Sequence, residues 1–64
     1  MDIYIEKDNR NIELKESLAV KDLLKKLSIN PQTVLVVKND EIVLHDEMLS
    51  EKDTVKILSV ISGG

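Results

Sequence analysis

One stretch of this sequence has the periodicity of a helix. Its apolar residues fall at positions i, i+3, i+4 and i+7, and they are Val20, Leu23, Leu24 and Leu27. Ser17 is the predicted N-cap, Ala19 would be a poor first residue of the helix, and Asn30-Pro31 keeps the helix from continuing. A helix of about two to three turns cannot form a core alone, so its apolar stripe must be buried on another layer.

Strand patterns precede this helix. Met1, Ile3 and Ile5 alternate with polar or amphipathic residues, as expected for a strand with one buried face. The segment Lys7–Asn11 is rich in turn-forming residues, and Ile12 and Leu14 then resume the alternation. The N-terminal segment is therefore predicted to be a β-hairpin.

More strand patterns follow the helix. The runs "TVLVVK" and "EIVLH" flank Asn39-Asp40 and predict a second hairpin. The polar segment "DEMLSEKD" is predicted to be a loop with at most one helical turn. The last strand is "TVKILSVI", in which Val55 and Ile57 share one face while Leu58 and Val60 lie on the other. Apolar residues on both faces indicate a central strand or an exposed patch with a use.

The predicted order is β-β-α-β-β-β, which is an α+β fold. The single helix has to be buried against one face of a mixed sheet of about five strands, joined by a right-handed crossover. A chain of 64 residues has room for one core, so residues 1–64 are predicted to form a single domain.

Composition excludes several functions. Without cysteine the chain has no disulfide, thiolate or Cys-ligated metal chemistry, and its longest apolar run, Val34 to Val37, is too short to cross a membrane. We therefore expect a cytoplasmic protein. The net charge of −3 argues against direct nucleic acid binding and favours a basic protein partner.

His45, beside Asp46 and Glu47, is predicted to be a solvated strand end rather than a metal or acid–base site. No constellation of catalytic residues is present, so the chain is not expected to be an enzyme.

Tyr4, Leu58 and Val60 are the candidates for an apolar patch on the sheet face away from the helix. Such a patch would serve as a docking surface for a partner protein. The alternative is that long neighbouring side chains cover these residues, because single exposed apolar residues are common. The sequence leaves both interpretations open.

Both glycines of the chain stand together in its last five residues, "VISGG". A frayed end is one explanation of Gly63-Gly64. The other is that the Gly64 carboxylate is threaded into the active site of another protein, where side chains would obstruct it. Directly after the last strand of a β-β-α-β-β-β domain, the second explanation is the stronger.

The sequence resembles the ThiS/MoaD family of small ubiquitin-like sulfur carriers with the β-grasp fold. The resemblance extends over essentially the whole chain and is clearest in "VKDLLKKLSINP", "VLVVKNDEIVL" and "DTVKILSVISGG". Ser28 stands where the family commonly has glycine after the helix, and Asp40 replaces a frequent hairpin glycine. The aromatic residue often found in the family's last strand is missing here.

The resemblance implies a carrier that is acted on by partner enzymes. An E1-like enzyme would use ATP and magnesium to adenylate the Gly64 carboxylate, and sulfur from a persulfide protein would then give a C-terminal thiocarboxylate. Gly63 would give the tail access, while Tyr4, Leu58, Val60, Ile61 and Ser62 would contact the partner. The chain itself would bind no cofactor or metal and would be a monomer when free.

The resemblance leaves the destination of the sulfur open. A synthase of the thiamine thiazole and a tRNA thiolase rank first, and molybdopterin synthesis ranks behind them. A second class of function is a protein modifier joined to lysines through Gly64. A third is a simple interaction domain with an unused tail.

Overall fold

The computed structural model describes residues 1–60, which form a five-stranded mixed sheet with one α-helix packed on it. In chain order the elements are β1 (Asp2–Ile5), β2 (Arg10–Glu13), β3 (Leu18–Ala19), α1 (Val20–Lys26), a 3-10 helix (Pro31–Thr33), β4 (Val34–Lys38), β5 (Glu41–Val43), β6 (Met48–Leu49) and β7 (Thr54–Ser59). The main sheet has the order β2-β1-β7-β4-β5. The α+β fold with a β-grasp arrangement is therefore confirmed.

The last strand lies at the centre of the sheet. β7 pairs in parallel with β1, placing Ile3 opposite Val55, and antiparallel with β4, placing Val36 opposite Ile57. Val55 and Ile57 are almost completely buried under the helix, because strand partners present their side chains to the same face. Central placement explains the apolar residues on both faces of this strand.

Three of the four residues of the predicted apolar stripe are buried in α1, whereas the fourth, Leu27, is the C-cap and is partly buried. Val20, Leu23 and Leu24 have no exposed surface, and they pack with the alternating residues Met1, Ile3 and Ile5 of the first hairpin. The periodicities of the helix and of the first strand therefore identified the core. Among residues 1–60, no helix is long and apolar enough to cross a membrane.

The predicted N-cap of α1 is wrong. The helix begins at Val20 with Ala19 as its N-cap, and no side chain caps it. The first N–H groups of the helix, which have no acceptor within the helix, are instead bound by backbone carbonyls of another segment. Val20 N–H donates to Glu47 O at 2.9 Å, and Lys21 N–H donates to His45 O at 2.9 Å. The segment after β5 thus supplies the acceptors that a serine would otherwise provide.

The segment predicted to be a loop contains a strand. Met48 and Leu49 form β6, which pairs antiparallel with β3 so that Leu18 lies opposite Leu49. Leu49 is only 1% exposed and belongs to the core, whereas Met48 points outwards. This small second sheet closes the core at the N-terminal end of the helix.

The C-terminal end of α1 is a Schellman motif. Ile29 N–H donates to Leu24 O at 2.8 Å, and Ser28 N–H donates to Lys25 O at 3.1 Å. Ser28 has a φ of 59°, the left-handed conformation that glycine adopts without steric cost. The helix ends before Asn30-Pro31, and Pro31 opens the 3-10 helix.

The second hairpin turns at Asn39-Asp40, as predicted. Both residues have positive φ, 49° and 70°, which is the signature of a type I′ turn. β5 is shorter than the predicted run, because it ends at Val43 and Leu44 and His45 leave the sheet. The turn to the helix N-terminus begins there, since His45 is one of the residues that bind it.

Candidate functional site

The described chain ends at the carboxyl end of the central strand. β7 stops at Ser59, so Val60 follows the strand that it was predicted to finish. Val60 N–H nevertheless donates to Thr33 O at 3.0 Å, and this bond extends the ladder between β7 and β4 by one step. Val60, which precedes the tail, therefore lies at the middle of the sheet rather than at an edge.

A second anchor holds the same point from the other side. Ser59 N–H donates to Glu6 Oε1 at 3.1 Å, and Glu6 N–H donates to Ile57 O at 3.0 Å. Glu6 directly follows β1 and Thr33 directly precedes β4, so the end of β7 is bound to residues that adjoin both neighbouring strands. These bonds fix the position of the end of β7.

Four of the predicted site residues lie outside the described residues. They are Ile61, Ser62, Gly63 and Gly64. The structure does determine where they start, because Val60 is bound to Thr33.

The other predicted contact residues are Leu58, Tyr4 and Val60, and each lies at a different place around β7. Leu58 is half-buried on the face away from the helix and lies opposite Leu35 of β4, which is 43% exposed. Tyr4 is on the same face of β1, but its direct partner across the strands is Lys56, and its hydroxyl donates to Asn9 Oδ1 at 3.0 Å. Tyr4 and Leu58 are thus diagonal neighbours rather than a direct pair.

The same face continues over β4 and β5 with residues that sequence reasoning missed. Leu35 and Val37 are the outward residues of β4, and Ile42 of β5 lies opposite Val37 with 68% of its surface exposed. The run "VLVV" gave no alternation of polar and apolar residues, so it did not show which residues face outwards. The strand register decides this.

Val60 was predicted to share the face of Tyr4 and Leu58 away from the helix, but it lies at the mouth of a groove lined by residues of the helix end. It is 36% exposed and borders a groove of about 640 Å³ on the helix side of the sheet, together with Leu27, Ile29 and Val34. Lys7 and Asp8 of the first hairpin form part of the rim. The point at which the tail leaves the domain therefore has a concave apolar surface beside it.

The opposite end of β7 is cross-linked by polar side chains. Asn39 accepts from Thr54 N–H at 3.0 Å through Oδ1 and donates through Nδ2 to Asp53 Oδ1 at 2.9 Å. Asp53 Oδ2 accepts from Ser50 N–H at 2.7 Å. Lys38 Nζ donates to Glu47 Oε2 at 3.1 Å and lies 3.8 Å from Asp53 Oδ2. These contacts tie the β4–β5 turn to the segment between β5 and β7.

The pKa values of two groups in this network are shifted. The hydrogen bond from Ser50 N–H, followed by that from the Asn39 side chain, lowers the pKa of Asp53 below its ordinary value. The hydrogen bond to Glu47 raises the pKa of Lys38, and the negative charges of Asp53, Glu47 and Glu41 add to this effect. Both shifts favour the charged forms of the two groups, so the network is ionic near neutral pH.

His45 is exposed, as predicted, although the strand ends before it. Its backbone carbonyl binds the helix N-terminus, which is a structural role. Within residues 1–60, no group of three or more histidine, aspartate or glutamate side chains is placed to hold a metal ion.

Comparisons with known proteins agree with this architecture. The model of the ThiS family matches residues 2–64, so the match includes the four residues after Val60. A sulfur carrier protein, TtuB, from Thermus thermophilus is 33% identical over 57 residues, which cover 89% of this chain and 88% of the relative.

Two solved structures of a thiamine biosynthesis protein, ThiS, from Geobacter metallireducens resemble the fold. The crystal structure aligns over the full length of both chains with 25% identity and a TM-score of 0.70. The solution NMR structure covers all of this chain and 88% of the other, with 25% identity and a TM-score of 0.61. The family model, the relative and the shared fold confirm the predicted resemblance: the chain belongs to the ThiS family.

Proposed function

We propose that this protein is a sulfur carrier and that the carboxylate of Gly64 is its working group. The observation that carries the proposal is the position of the tail: it starts from the end of the central strand, where Val60 and Ser59 are fixed to Thr33 and Glu6. The family match continues through Gly63-Gly64, and the relative from Thermus thermophilus is named a sulfur carrier protein.

In the proposed reaction, the chemistry takes place in partner enzymes. An E1-like enzyme uses ATP and magnesium to convert the Gly64 carboxylate to an acyl-adenylate with release of pyrophosphate. The terminal sulfur of a persulfide then attacks the acyl carbon and AMP leaves. A second thiol of the partner cleaves the resulting acyl disulfide, which leaves a thiocarboxylate on Gly64 and a disulfide on the partner side. The carrier contributes the carboxylate and a rigid domain by which it is recognised.

The proposed recognition surface surrounds the end of β7. It comprises Tyr4, Leu58 and Val60 of the described chain, with Ile61 and Ser62 of the tail. Leu58 supports this assignment because it forms a continuous outward apolar surface with Leu35, which is 43% exposed. An exposed apolar sheet face next to the reactive tail is suited to docking an enzyme that must receive that tail.

The proposed acceptor of the sulfur is the thiazole of thiamine or a tRNA uridine. The two similar structures are of a thiamine biosynthesis protein, which supports the thiazole. The proposal places the carrier in the cytoplasm, where it meets ATP and its partner enzymes as a free monomer.

Intact mass spectrometry of the protein purified from its own host tests the proposal. A fraction should have the mass expected when one carboxyl oxygen is replaced by sulfur, and a variant lacking Gly63-Gly64 should show no such fraction. Gly-Gly remnants on lysines of other proteins, without any thiocarboxylate, would instead establish a protein modifier. If neither product forms and the deletion has no phenotype, the tail has no chemical role.

The recognition surface is tested by adenylation kinetics with the activating enzyme of the same host. Leu58→Asp should raise the KM for the carrier about tenfold with little change in kcat, because docking and not chemistry is impaired. Met48→Asp is the matched control, since Met48 is 59% exposed on β6, outside the main sheet. Equal KM values for the two variants would exclude this face as the docking surface.

A further inference from the structure

A second groove lies at the outer edge of the sheet, where β5 ends early. β4 begins at Val34, but its pairing with β5 extends only to Val36 opposite Val43. The first two residues of β4 therefore have no strand beside them on that side within residues 1–60. The space is a groove of about 360 Å³, referred to below as the edge groove, which is lined by Val34, Leu35, Val36, Val43, Leu44, His45 and Asp46.

The walls of the edge groove are apolar and accessible. Leu44 is 76% exposed and Leu35 is 43% exposed, and among residues 1–60 Leu44 is the most exposed large hydrophobic residue. Large aliphatic side chains with this much exposed surface are costly in water, and on a small protein they commonly mark an interaction site. The volume is sufficient for one or two aliphatic side chains of a partner.

As far as residues 1–60 show, the backbone at the edge groove also has free hydrogen-bonding capacity. Thr33 and Asn39 bond to the β7 side, through Val60 N–H to Thr33 O and Asn39 N–H to Thr54 O. Hydrogen bonding alternates along an antiparallel strand, so Val34 directs its N–H and C=O towards the β5 side. No β5 residue is in register with Val34, because the ladder stops at Val36. An extended segment can pair there and continue the line of β5.

Charge indicates what kind of segment fits. Residues 39–53 contain six carboxylates and one lysine, a formal charge of −5, compared with −3 for the whole chain. Asp46 lines the groove itself. Three further carboxylates, Glu41, Glu47 and Asp53, all raise the pKa of the Lys38 amine. The edge groove therefore lies in the most acidic part of the chain, which attracts a basic partner.

We propose that the edge groove binds an extended segment of a partner protein in which aliphatic residues alternate with lysine or arginine. The segment pairs with Val34 as an added strand, places an aliphatic side chain between Leu35 and Leu44, and sets a cation beside Asp46. A second copy of this chain is a poor occupant, because the same acidic segment would be repelled. The tail "ISGG" is also a poor one, since it brings no cation and a further carboxylate.

The location gives this surface a use. Val34 lies opposite Ser59 in the register of β4 and β7, so the edge groove is at the same end of the sheet as the start of the tail. The line of β5 is two strands from β7, a separation of about 10 Å. A partner that holds the edge groove can therefore also reach the tail. Binding at the groove does not depend on the sulfur-carrier proposal, and either one can fail alone.

Titration of the ¹⁵N-labelled full chain with a synthetic peptide, acetyl-Lys-Val-Lys-Leu-Lys-amide, tests the proposal by NMR. Shifts of amide resonances centred on Val34, Leu44 and Asp46 are expected, and the affinity should fall several-fold between low and high salt. The control peptide replaces each lysine with glutamate and should cause no such shifts. No response to the lysine peptide, an equal response to the control, or shifts centred on Tyr4 and Leu58 would each overturn the proposal.

Matched variants locate the binding. Leu44→Ser should weaken peptide binding by about tenfold, whereas Ile42→Ser should leave it within about twofold, because Ile42 is similarly exposed but does not line the groove. Asp46→Asn should weaken binding and reduce its salt dependence. Equal effects of Leu44→Ser and Ile42→Ser would show that the edge groove is not the site. Loss of binding on removal of residues 61–64 would assign it to the tail.

Discussion

The two ends of β7 are held in different ways. At its start, Thr54 N–H is bound by Asn39, which belongs to a network in which Asn39, Asp53 and Lys38 connect the β4–β5 turn with the segment before β7. At its end, Ser59 and Val60 are fixed by single bonds to Glu6 and Thr33, and grooves lie on both sides of Val34. The start of β7, at Thr54, is cross-linked by polar side chains and is called the closed end below. The end of β7, at Ser59 and Val60, is called the open end.

This difference is useful for a chain whose working group is proposed to lie beyond Val60. The domain has to be rigid enough to be recognised, yet the surface around the tail has to remain open to enzymes. Stabilising contacts concentrated at the closed end of β7 meet both needs, because side chains that buried the open end would compete with partners for the same surface. The comparison predicts that substitutions at the closed end mainly change stability.

The largest effect is expected from Asn39→Ala. The substitution removes the bonds to Thr54 N–H and Asp53, and it places alanine at a φ of 49°. We expect a loss of about 2 kcal/mol in the free energy of unfolding, from two hydrogen bonds and a less favourable backbone conformation. Chemical denaturation monitored by circular dichroism measures it.

Asn30→Ala is the matched control at the open end. Among the described residues, the Asn30 side chain makes one bond, accepting from Gln32 N–H at 2.9 Å at the start of the 3-10 helix. Its loss should cost about 1 kcal/mol, as for other caps. If Asn30→Ala destabilises the protein as much as Asn39→Ala, the two ends do not differ in the way described.

An effect of intermediate size and opposite sign is expected at the open end. Ser28 closes the Schellman motif with a φ of 59°, so Ser28→Gly should stabilise the protein by about 1 kcal/mol. Asp40→Gly, in the hairpin turn at the closed end, should gain about 0.5 kcal/mol, because aspartate tolerates the left-handed region better than serine. Thermal unfolding should rank the melting temperatures as Ser28→Gly above Asp40→Gly above the parent. A destabilised Ser28→Gly protein would show that the serine side chain has a role at this position.

These positions also show what the sequence could and could not predict. The stripe from Val20 to Leu27 and the alternation of Met1, Ile3 and Ile5 identified the helix, the first strand and the core, because each pattern repeats several times within a few residues. Asn39-Asp40 identified the hairpin turn. Such local signals were enough for these elements and for the strand that precedes the tail.

Features that depend on distant segments were missed. The pairing of β3 with β6 has two residues on each side, too few to form a periodic pattern. Ser17 was a reasonable cap, but the carbonyls of His45 and Glu47 already satisfy the first N–H groups of the helix. The edge groove arises from the unequal lengths of β4 and β5, and neither strand indicates it alone.

The smallest effect is expected on acid stability, since it depends on one carboxyl group. The pKa of Asp53 is lower in the folded protein than in the unfolded chain, because Ser50 N–H and the Asn39 side chain bind the ionised form. The folded state therefore binds fewer protons at this group. Its contribution to stability is present above the unfolded pKa and is lost as the pH falls through the folded pKa, from about pH 4 downwards.

Denaturation curves recorded between about pH 5 and pH 2 test this sign, with Asp53→Asn as the variant in which the titrating group is absent. The parent should lose stability more steeply than Asp53→Asn as the pH falls, and Asn39→Ala should show an intermediate slope because the bond from Ser50 remains. Asp8→Asn is the surface control and should follow the parent. If the parent and Asp53→Asn have the same slope, then the closed end is held by its neutral hydrogen bonds and packing. The contrast with the open end would then rest on the number of cross-links and not on their charge.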